Sequence, residues 1–129
     1  MPVSKRKKKR LLIVDDEVIV RNTLSKILTD TGYDVFCVED GQTALDIIKE
    51  DSFDLILLDL KLDGMDGMKM LELLRATDKD IPVILISGYL TIENIEEASK
   101  YRIFSYIRKP FKIVDLREKI RRAFQVGKK

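Results

Sequence analysis

Five short runs of apolar residues, each followed by a segment with helical spacing, constrain the fold of this chain most strongly. The runs cover residues 11–14, 35–38, 55–58, 83–86 and 104–107. Three of them (11–14, 55–58 and 83–86) are unbroken aliphatic runs, which are typical of strands covered on both faces in a parallel sheet. Each interval leaves room for one helix. Five βα units in succession therefore predict an α/β domain with a mostly parallel sheet and right-handed crossover connections.

The intervals between the runs carry the pattern of amphipathic helices. Asp40 stands where it can cap the N-terminus of the second helix, and Gly32 stands where it can end the first. The last helix has the clearest apolar stripe, which is formed by Ile113, Leu116, Ile120, Ala123 and Phe124.

The composition excludes several classes of chemistry. The chain has 129 residues, which predicts one domain, and it contains no histidine and a single cysteine, Cys37. Ser-His-Asp and Cys-His catalytic pairs, the usual zinc sites, an internal disulfide and a phosphohistidine on the chain itself are therefore excluded. The unpaired thiol and the lack of an apolar run long enough to span a membrane favour a soluble, cytoplasmic protein.

Six consecutive basic residues at positions 5–10 dominate the net charge of +2. Without these six of the 24 basic residues, 18 face 22 acidic ones, a net charge of −4. We interpret residues 1–10 as a basic, disordered arm, residues 11–126 as one domain and residues 127–129 as a tail. Such an arm could also contact nucleic acid or an anionic membrane. Because no aromatic residue interleaves the run and no DNA-reading element follows it, we expect neither specific nucleic-acid binding nor membrane binding.

Acidic residues stand where the first and third apolar runs end. Asp15, Asp16 and Glu17 follow the first run, and Asp59 follows the third. Ligands of parallel α/β sheets bind beyond the carboxyl ends of the strands, so these acids meet if the two strands are neighbours. Clustered carboxylates repel one another and require a cation, and ligation by oxygen alone favours Mg²⁺ or Ca²⁺.

Ser87 and Lys109 stand at the ends of the fourth and fifth runs, at the same edge of the expected sheet. A hydroxyl and an ammonium group suit the oxygens of a phosphoryl group. Taken singly, each residue has an ordinary explanation, since strand-end acids often cap helices and Lys109 could be a surface lysine. Together with the acids, they indicate a phosphoryl site with a bound cation.

Two other kinds of site fit the segment after Asp59 less well. Residues 59–64 resemble the start of an EF-hand loop, but Lys61 occupies a ligand position and Met70 replaces the bidentate glutamate. A phosphatase with a nucleophilic aspartate usually has its acid two residues later, where this chain again has Lys61. A metal-dependent phosphatase would therefore lack its proton donor.

Four short motifs at the strand ends occur in a characteristic order and spacing. They are the segments 12–17 (LIVDDE), 54–59 (DLILLD), 86–88 (ISG) and 106–111 (YIRKPF). Over residues 10–125 the chain resembles a receiver domain of the bacterial two-component response regulators. The resemblance implies a flavodoxin-like, doubly wound sheet of five parallel strands in the order 2-1-3-4-5 with five helices. It also implies a signalling protein that is no enzyme beyond catalysing its own phosphorylation and dephosphorylation.

The resemblance assigns the acids to a phosphoacceptor site. Asp59 would accept a phosphoryl group from a phosphohistidine on a sensor histidine kinase or a phosphotransfer protein, with Mg²⁺ as the cofactor. The ligands of Mg²⁺ would be Asp15, Asp16, Asp59 and the backbone carbonyl of Lys61.

The resemblance also assigns a switch. Lys109 would pair with the phosphoryl group, and its bond to Pro110 would be cis. Ser87 would turn to the phosphoryl group, and Tyr106 would follow inwards. The face formed by the fourth helix, the fifth strand and the fifth helix would change and carry the signal.

The chain departs from the family pattern in three places, which together comprise four residues. Asp63 stands where proline is common, so the turn before Gly64 must form without the restraint of proline. Arg102 and Ile103 stand where a Gly-Ala pair often precedes the fifth strand. Ser105 replaces an aspartate that helps some members to dimerise, so we expect a monomer or a weak dimer.

Two functions remain open from the sequence. The domain acts as a phosphorylation-controlled switch that binds an unknown downstream protein, or it is the receiver portion of a larger regulator with a DNA-binding or other output domain. A degenerate receiver that acts only as a scaffold is disfavoured by the complete set of acids, Ser87 and Lys109.

Overall fold

The fold alternates five strands with five helices. A computed structural model of the chain describes residues 8–62, 64–77 and 80–126. The strands are β1 (Arg10–Val14), β2 (Asp34–Val38), β3 (Leu55–Leu58), β4 (Val83–Ser87) and β5 (Ser105–Arg108). The helices are α1 (Val18–Thr31), α2 (Gly41–Glu50), α3 (Gly67–Ala76), α4 (Ile92–Ser99) and α5 (Ile113–Val126). Each strand begins within one residue of its expected start.

All neighbouring strands are parallel, and they lie in the order β2-β1-β3-β4-β5. This order confirms the predicted flavodoxin-like, doubly wound architecture. β1 lies between β2 and β3, and Leu11 is paired with both Val35 and Leu55. The strand order reverses at β1 and β3, which is where a doubly wound sheet forms a cleft at the carboxyl ends of its strands.

Two hydrophobic cores cover the sheet, one on each face. Leu12 and Val14 of β1 belong to a core with residues of α2, α3 and α4. Leu11 and Ile13 of the same strand belong to a core with residues of α1 and α5. Successive residues of a strand point to opposite faces, so a strand with both faces covered is apolar at every position. This burial explains the unbroken aliphatic runs of the central strands.

The basic segment ends inside the fold. Arg10 is the first residue of β1, and its guanidinium group lies 4.6 Å from the centre of the Phe36 ring and 4.9 Å from that of Phe53. Its backbone N–H donates a hydrogen bond of 2.8 Å to the Asp54 carboxylate. Cation–π packing therefore holds Arg10 in the domain rather than in the expected arm. Residues 1–7 of that arm and the tail at 127–129 lie outside the described residues.

Two helix ends agree with the sequence pattern. Asp40 Oδ1 accepts a hydrogen bond of 2.7 Å from the Thr43 backbone N–H at the start of α2. Gly32 ends α1 with a φ of 117°, a conformation that glycine adopts without steric cost.

The turn predicted at Asp63 cannot be compared, because Asp63 lies outside the described residues. No helix in the described part of the chain is long and apolar enough to cross a membrane.

The turn between α4 and β5 has a strained residue at one of the positions that depart from the family pattern. Arg102 has a φ of 60°, in the left-handed region that favours glycine. The Arg75 guanidinium group at the end of α3 donates to the carbonyl oxygens of Tyr101 and Arg102 at 2.7 and 3.0 Å. The turn is therefore held from outside by Arg75 although its own sequence does not favour it.

We expect Arg102→Gly to raise the free energy of unfolding by about 0.5–1 kcal/mol, because relief of the left-handed strain exceeds the entropy that glycine adds to the unfolded chain. Urea denaturation measures this change. Arg102→Ala is the control, because it removes the exposed ion pair with Asp80 but keeps the strain. Equal stabilities of the Gly and Ala variants would contradict the strain argument.

Candidate functional site

Asp15 and Asp59 are the first residues after β1 and β3, and the pairing of these strands brings them together. The Asp59 backbone N–H donates to the Val14 carbonyl at 3.0 Å. Both side chains are almost fully buried, with 4% and 7% of their surface exposed. Asp15 Oδ1 accepts the Glu17 N–H at 2.9 Å, and Asp59 Oδ1 accepts the Lys61 N–H at 3.0 Å. The Oδ2 atom of each carboxylate is left for another partner.

The Lys109 ammonium group is that partner. Its Nζ atom lies 2.9 Å from Oδ2 of Asp15, Oδ2 of Asp59 and Oε1 of Glu17. The three acids each offer an oxygen within 4.8 Å of the others, so their mutual repulsion requires a positive charge among them. Lys109 is joined to Pro110 by a cis peptide bond, as the resemblance implies.

The pKa values of the buried groups reflect this crowding. Burial raises the pKa of Asp15, although hydrogen bonds from the Glu17 N–H and Lys109 oppose the rise. Burial alone would lower the pKa of Lys109, but its hydrogen bonds to Glu17, Asp59 and Asp15 together raise it well above the ordinary value. Lys109 therefore carries its charge at neutral pH and balances part of the negative charge of the cluster.

Asp16 lies beside the cluster rather than in it. It is half-buried and lines an open cleft together with Lys61, Tyr89 and Lys109. The third carboxylate of the cluster belongs to Glu17, whose side chain is 60% exposed. In the sequence, Glu17 is an acid at the end of a strand, and neither its spacing nor the family resemblance assigns it a role. Its place in the acidic triplet after β1 is the one sign of it.

Ser87 and Tyr106 occupy different environments. Ser87 is the last residue of β4 and is fully buried. Its carbonyl oxygen accepts a hydrogen bond of 3.0 Å from the Lys109 backbone N–H. Its Oγ atom accepts a hydrogen bond of 3.0 Å from the Tyr89 N–H, so the hydroxyl is engaged with its own loop. Tyr106 lies on the edge strand β5, two positions before Arg108, with 41% of its surface exposed.

Comparison with known proteins decides the family. The family model described as the response regulator receiver domain matches residues 11–121. The chain belongs to this family. Its members are signalling domains of response regulators, which agrees with the acidic cluster at the carboxyl ends of β1 and β3.

Relatives of this receiver domain include both short proteins and larger regulators. Sporulation initiation phosphotransferase F of Bacillus subtilis is 34% identical over 113 residues, which cover 88% of this chain and 91% of that protein. Regulatory protein AtoC of Escherichia coli is 37% identical over 117 residues, which cover 91% of this chain and 25% of that protein. A CheY-like receiver domain protein from Methanospirillum hungatei has a solved structure with a TM-score of 0.86 and 33% identity, over 90% of this chain and 93% of that chain.

Two loops of this receiver domain meet across the cleft beside Asp59. Lys61 Nζ lies 4.6 Å from the centre of the Tyr89 ring, which joins the loop after β3 to the loop after β4. The loop after β4 is also held by Arg108, whose guanidinium group donates to the Leu90 carbonyl. No sequence pattern indicates either contact, because each joins residues that are remote along the chain.

Gly67 keeps the backbone after Asp59 in place. A Cβ atom at Gly67 would lie 2.4 Å from the Asp59 carbonyl oxygen and 2.6 Å from the Cα atom of Leu60. The Gly67 N–H donates to the Leu60 carbonyl at 2.8 Å. Only glycine allows this close approach, so the start of α3 fixes the loop that carries Asp59.

Proposed function

We propose that this receiver domain accepts a phosphoryl group on Asp59 from a phosphohistidine of a sensor histidine kinase or a phosphotransfer protein. The observation that carries the proposal is the Asp59 Oδ2 atom, which lies 2.9 Å from the Lys109 ammonium group beside a second buried carboxylate. A nucleophilic carboxylate with a fixed positive charge at its side is suited to receive a group that brings negative charge.

Mg²⁺ fits the chemistry of this donor set. The cluster offers only oxygen ligands, and an ammonium group already occupies the centre of three carboxylates, so the site is built to gather positive charge. In the proposal, the ion is held by Asp15, Asp16, Asp59 and the backbone carbonyl of Lys61. When bound, it would offset the charge of the incoming phosphoryl group and help to orient it.

The transfer step is a displacement at phosphorus. An oxygen of Asp59 forms a bond to phosphorus while the bond between phosphorus and the imidazole nitrogen of the donor breaks, and the electron pair stays on that nitrogen. Lys109 pairs with the phosphoryl oxygens. Ser87 then exchanges its hydrogen bond with the Tyr89 N–H for one to the phosphoryl group. Release of that loop, with a rearrangement of the half-exposed Tyr106, would alter the face formed by α4, β5 and α5.

A docking face for the donor adjoins the acceptor. These 129 residues contain no histidine, so the phosphohistidine must lie outside this domain. An apolar groove formed by α1 and the segment before α5 includes Ile19, Val20, Phe111 and Lys109 itself, and Ile19 is 75% exposed. In the proposal, a helix of the donor packs into this groove and brings its phosphohistidine to Asp59.

A cytoplasmic location is part of the proposal, because the free thiol Cys37 suits a reducing compartment.

Incubation with acetyl phosphate tests the proposed chemistry without a protein donor. The parent protein should gain the mass of one phosphoryl group when Mg²⁺ is present and none when EDTA replaces it. Intact-mass spectrometry measures the gain. Equal labelling with and without EDTA, or no labelling at any Mg²⁺ concentration, would overturn the proposal.

We expect Ile19→Glu to reduce phosphoryl transfer from a purified histidine kinase about ten-fold, because a charge in the groove opposes burial of a donor helix. Labelling by acetyl phosphate should stay at the parental rate. Val126→Glu is the control, since Val126 is also exposed, at 65%, but ends α5. An equal loss with both donors would show damage to the acceptor site rather than to docking.

We expect a long-lived phosphorylated state, because Lys61 offers only hydrogen-bond donors and its contact with Tyr89 covers the cleft. Lys61→Asn should lose the phosphoryl group about ten-fold faster, since an amide oxygen can orient an attacking water. Tyr89→Ala should lose it about three-fold faster, as expected from the strength of an exposed cation–π contact. The intact mass after removal of acetyl phosphate gives these rates. Lys69→Asn, on α3, should match the parent, and equal rates in all four proteins would contradict the shielding.

The second candidate is the receiver portion of a larger regulator with a DNA-binding or other output domain. The match to AtoC favours this candidate, because the aligned segment covers only 25% of the length of that regulator. The mass of the native protein in cell extract, detected with an antibody to this domain, separates the two candidates. A mass near 14.9 kDa would support the single-domain switch, and a clearly larger one would support the regulator.

A further inference from the structure

The Arg21 side chain reaches from α1 to the loop that carries Asp15 and Asp16. Its Nη1 atom donates a hydrogen bond of 2.8 Å to the backbone carbonyl of Asp15. Its Nη2 atom lies 3.8 Å from Oε1 of Glu39, the residue after β2. The Arg21 side chain is 18% exposed, whereas that of Glu39 is 69% exposed. Arg21 thus links the acidic loop after β1 to the end of the neighbouring strand.

The N-terminus of α1 has no side-chain cap within the described residues. Glu17 stands at the N-cap position, but its carboxylate binds Lys109 and makes no capping hydrogen bond within the described residues. Asp15 is held by its Oδ1 contact with the Glu17 N–H and by a backbone hydrogen bond of 3.2 Å from its own N–H to Val38. The Oδ1 contact spans the peptide unit between Asp15 and Asp16 but leaves its carbonyl oxygen without a partner. Arg21 donates to that carbonyl oxygen and so holds the peptide from its other side.

The orientation of this peptide sets the direction of the Asp16 side chain. Asp16 follows the Asp15 carbonyl directly and lines the cleft beside the cluster. Rotation of the peptide would turn the Asp16 carboxylate away from the cluster while Asp15 stayed in place. We propose that Arg21 is a positioning residue that holds Asp16 in place for the divalent cation. The inference rests on the proposed function, in which Asp16 is a ligand of Mg²⁺.

The effect acts through geometry rather than through charge. Arg21 is paired with Glu39, so the charge of its guanidinium group is balanced on that side. The hydrogen bond to the Asp15 carbonyl is partly buried, where a donor is harder for water to replace. Residues that orient metal ligands in this way typically affect metal affinity about 10–100-fold when they are removed.

The experiment is a titration of the ¹⁵N-labelled protein with MgCl₂, followed by the NMR shifts of the backbone amides. Arg21→Met keeps the length and the apolar stem of the side chain, and it should raise the Mg²⁺ dissociation constant about ten-fold. In the acetyl phosphate assay, the half-saturating Mg²⁺ concentration should rise by the same factor while the rate at saturating Mg²⁺ stays near the parental one. Arg21→Lys, which keeps one donor, should recover part of the affinity.

Arg75→Met is the matched control. Arg75 also donates to backbone carbonyls, those of Tyr101 and Arg102, but these lie before β5 and away from the acids. This variant should lose stability in urea and keep the parental Mg²⁺ affinity. If Arg21→Met does not fold, Arg21→Gln, which is too short to reach the carbonyl, takes its place with the same expected rise.

Three results would overturn the inference. The first is a parental Mg²⁺ affinity in the folded Arg21 variant, and the second is an equal loss of affinity in Arg75→Met. If the parent protein binds Mg²⁺ and takes up a phosphoryl group, either of these two results leaves the proposed function intact. The third is a parent that binds no Mg²⁺, which overturns the proposed function and the role of Arg21 together.

Discussion

Asp59→Asn should take up no phosphoryl group from acetyl phosphate under conditions that label the parent protein. The substitution keeps the size of the side chain and an oxygen that accepts the Lys61 N–H, but it removes the anionic oxygen that attacks phosphorus. Asp59 is a buried acid whose Oδ2 atom lies 2.9 Å from the Lys109 ammonium group, which also binds Asp15, and its backbone is held by Gly67. We therefore expect a complete loss of labelling rather than a slower reaction. Intact-mass spectrometry at saturating acetyl phosphate and Mg²⁺ measures it.

Two further variants separate the acceptor from the other acids. Asp15→Asn should still take up one phosphoryl group at high Mg²⁺, because Asp15 is proposed as a ligand and not as the nucleophile. Asp46→Asn, an exposed residue of α2, should behave as the parent does. Treatment with hydroxylamine should remove the label, since it cleaves acyl phosphates. Labelling of Asp59→Asn at the parental level would place the acceptor elsewhere.

The fold could be predicted because the sheet buries both faces of its central strands. A strand such as β3, which is LILL in sequence, has no alternating pattern and is typical of a parallel sheet covered by helices on both sides. The place of the acids followed from the parallel sheet together with the order of its strands. Once β1 and β3 are neighbours, Asp15 and Asp59 must meet at their carboxyl ends. The strand order itself came from the family motifs and not from the apolar pattern.

The contacts that complete the site could not be predicted, because they depend on side chains that meet only after the loops have folded. The Lys61–Tyr89 contact joins two loops whose residues are remote along the chain, so the local sequence around either residue gives no sign of it. Arg10 was hidden in a run of basic residues, although its stacking on Phe36 makes it part of the sheet. Tertiary geometry decides both cases, and no local period in the sequence reports it.

Lys109→Met should lower the free energy of unfolding in EDTA by about 2–3 kcal/mol, because it leaves the buried carboxylates of Asp15 and Asp59 without a compensating cation. This loss of stability is smaller than that usually caused by removing one partner of a fully buried ion pair, because the Lys109 side chain is 18% exposed. Urea denaturation at neutral pH measures the loss. Lys112→Met, which removes an exposed lysine just before α5, should cost little and is the matched control.

The pH and Mg²⁺ dependence of this loss should show its electrostatic origin. The raised pKa of Lys109 means that its stabilising charge is fully present at neutral pH and is lost only above the ordinary lysine range. In Lys109→Met, burial already raises the pKa of Asp15, and loss of the ammonium group raises it further. The folded variant then binds a proton more readily than the unfolded chain, so its deficit should shrink as the pH falls towards the carboxyl range.

Mg²⁺ should stabilise the variant more than the parent, since the ion no longer competes with an ammonium group for the same oxygens. A deficit that is independent of both pH and Mg²⁺ would mean that Lys109 stabilises the fold by packing rather than by its charge.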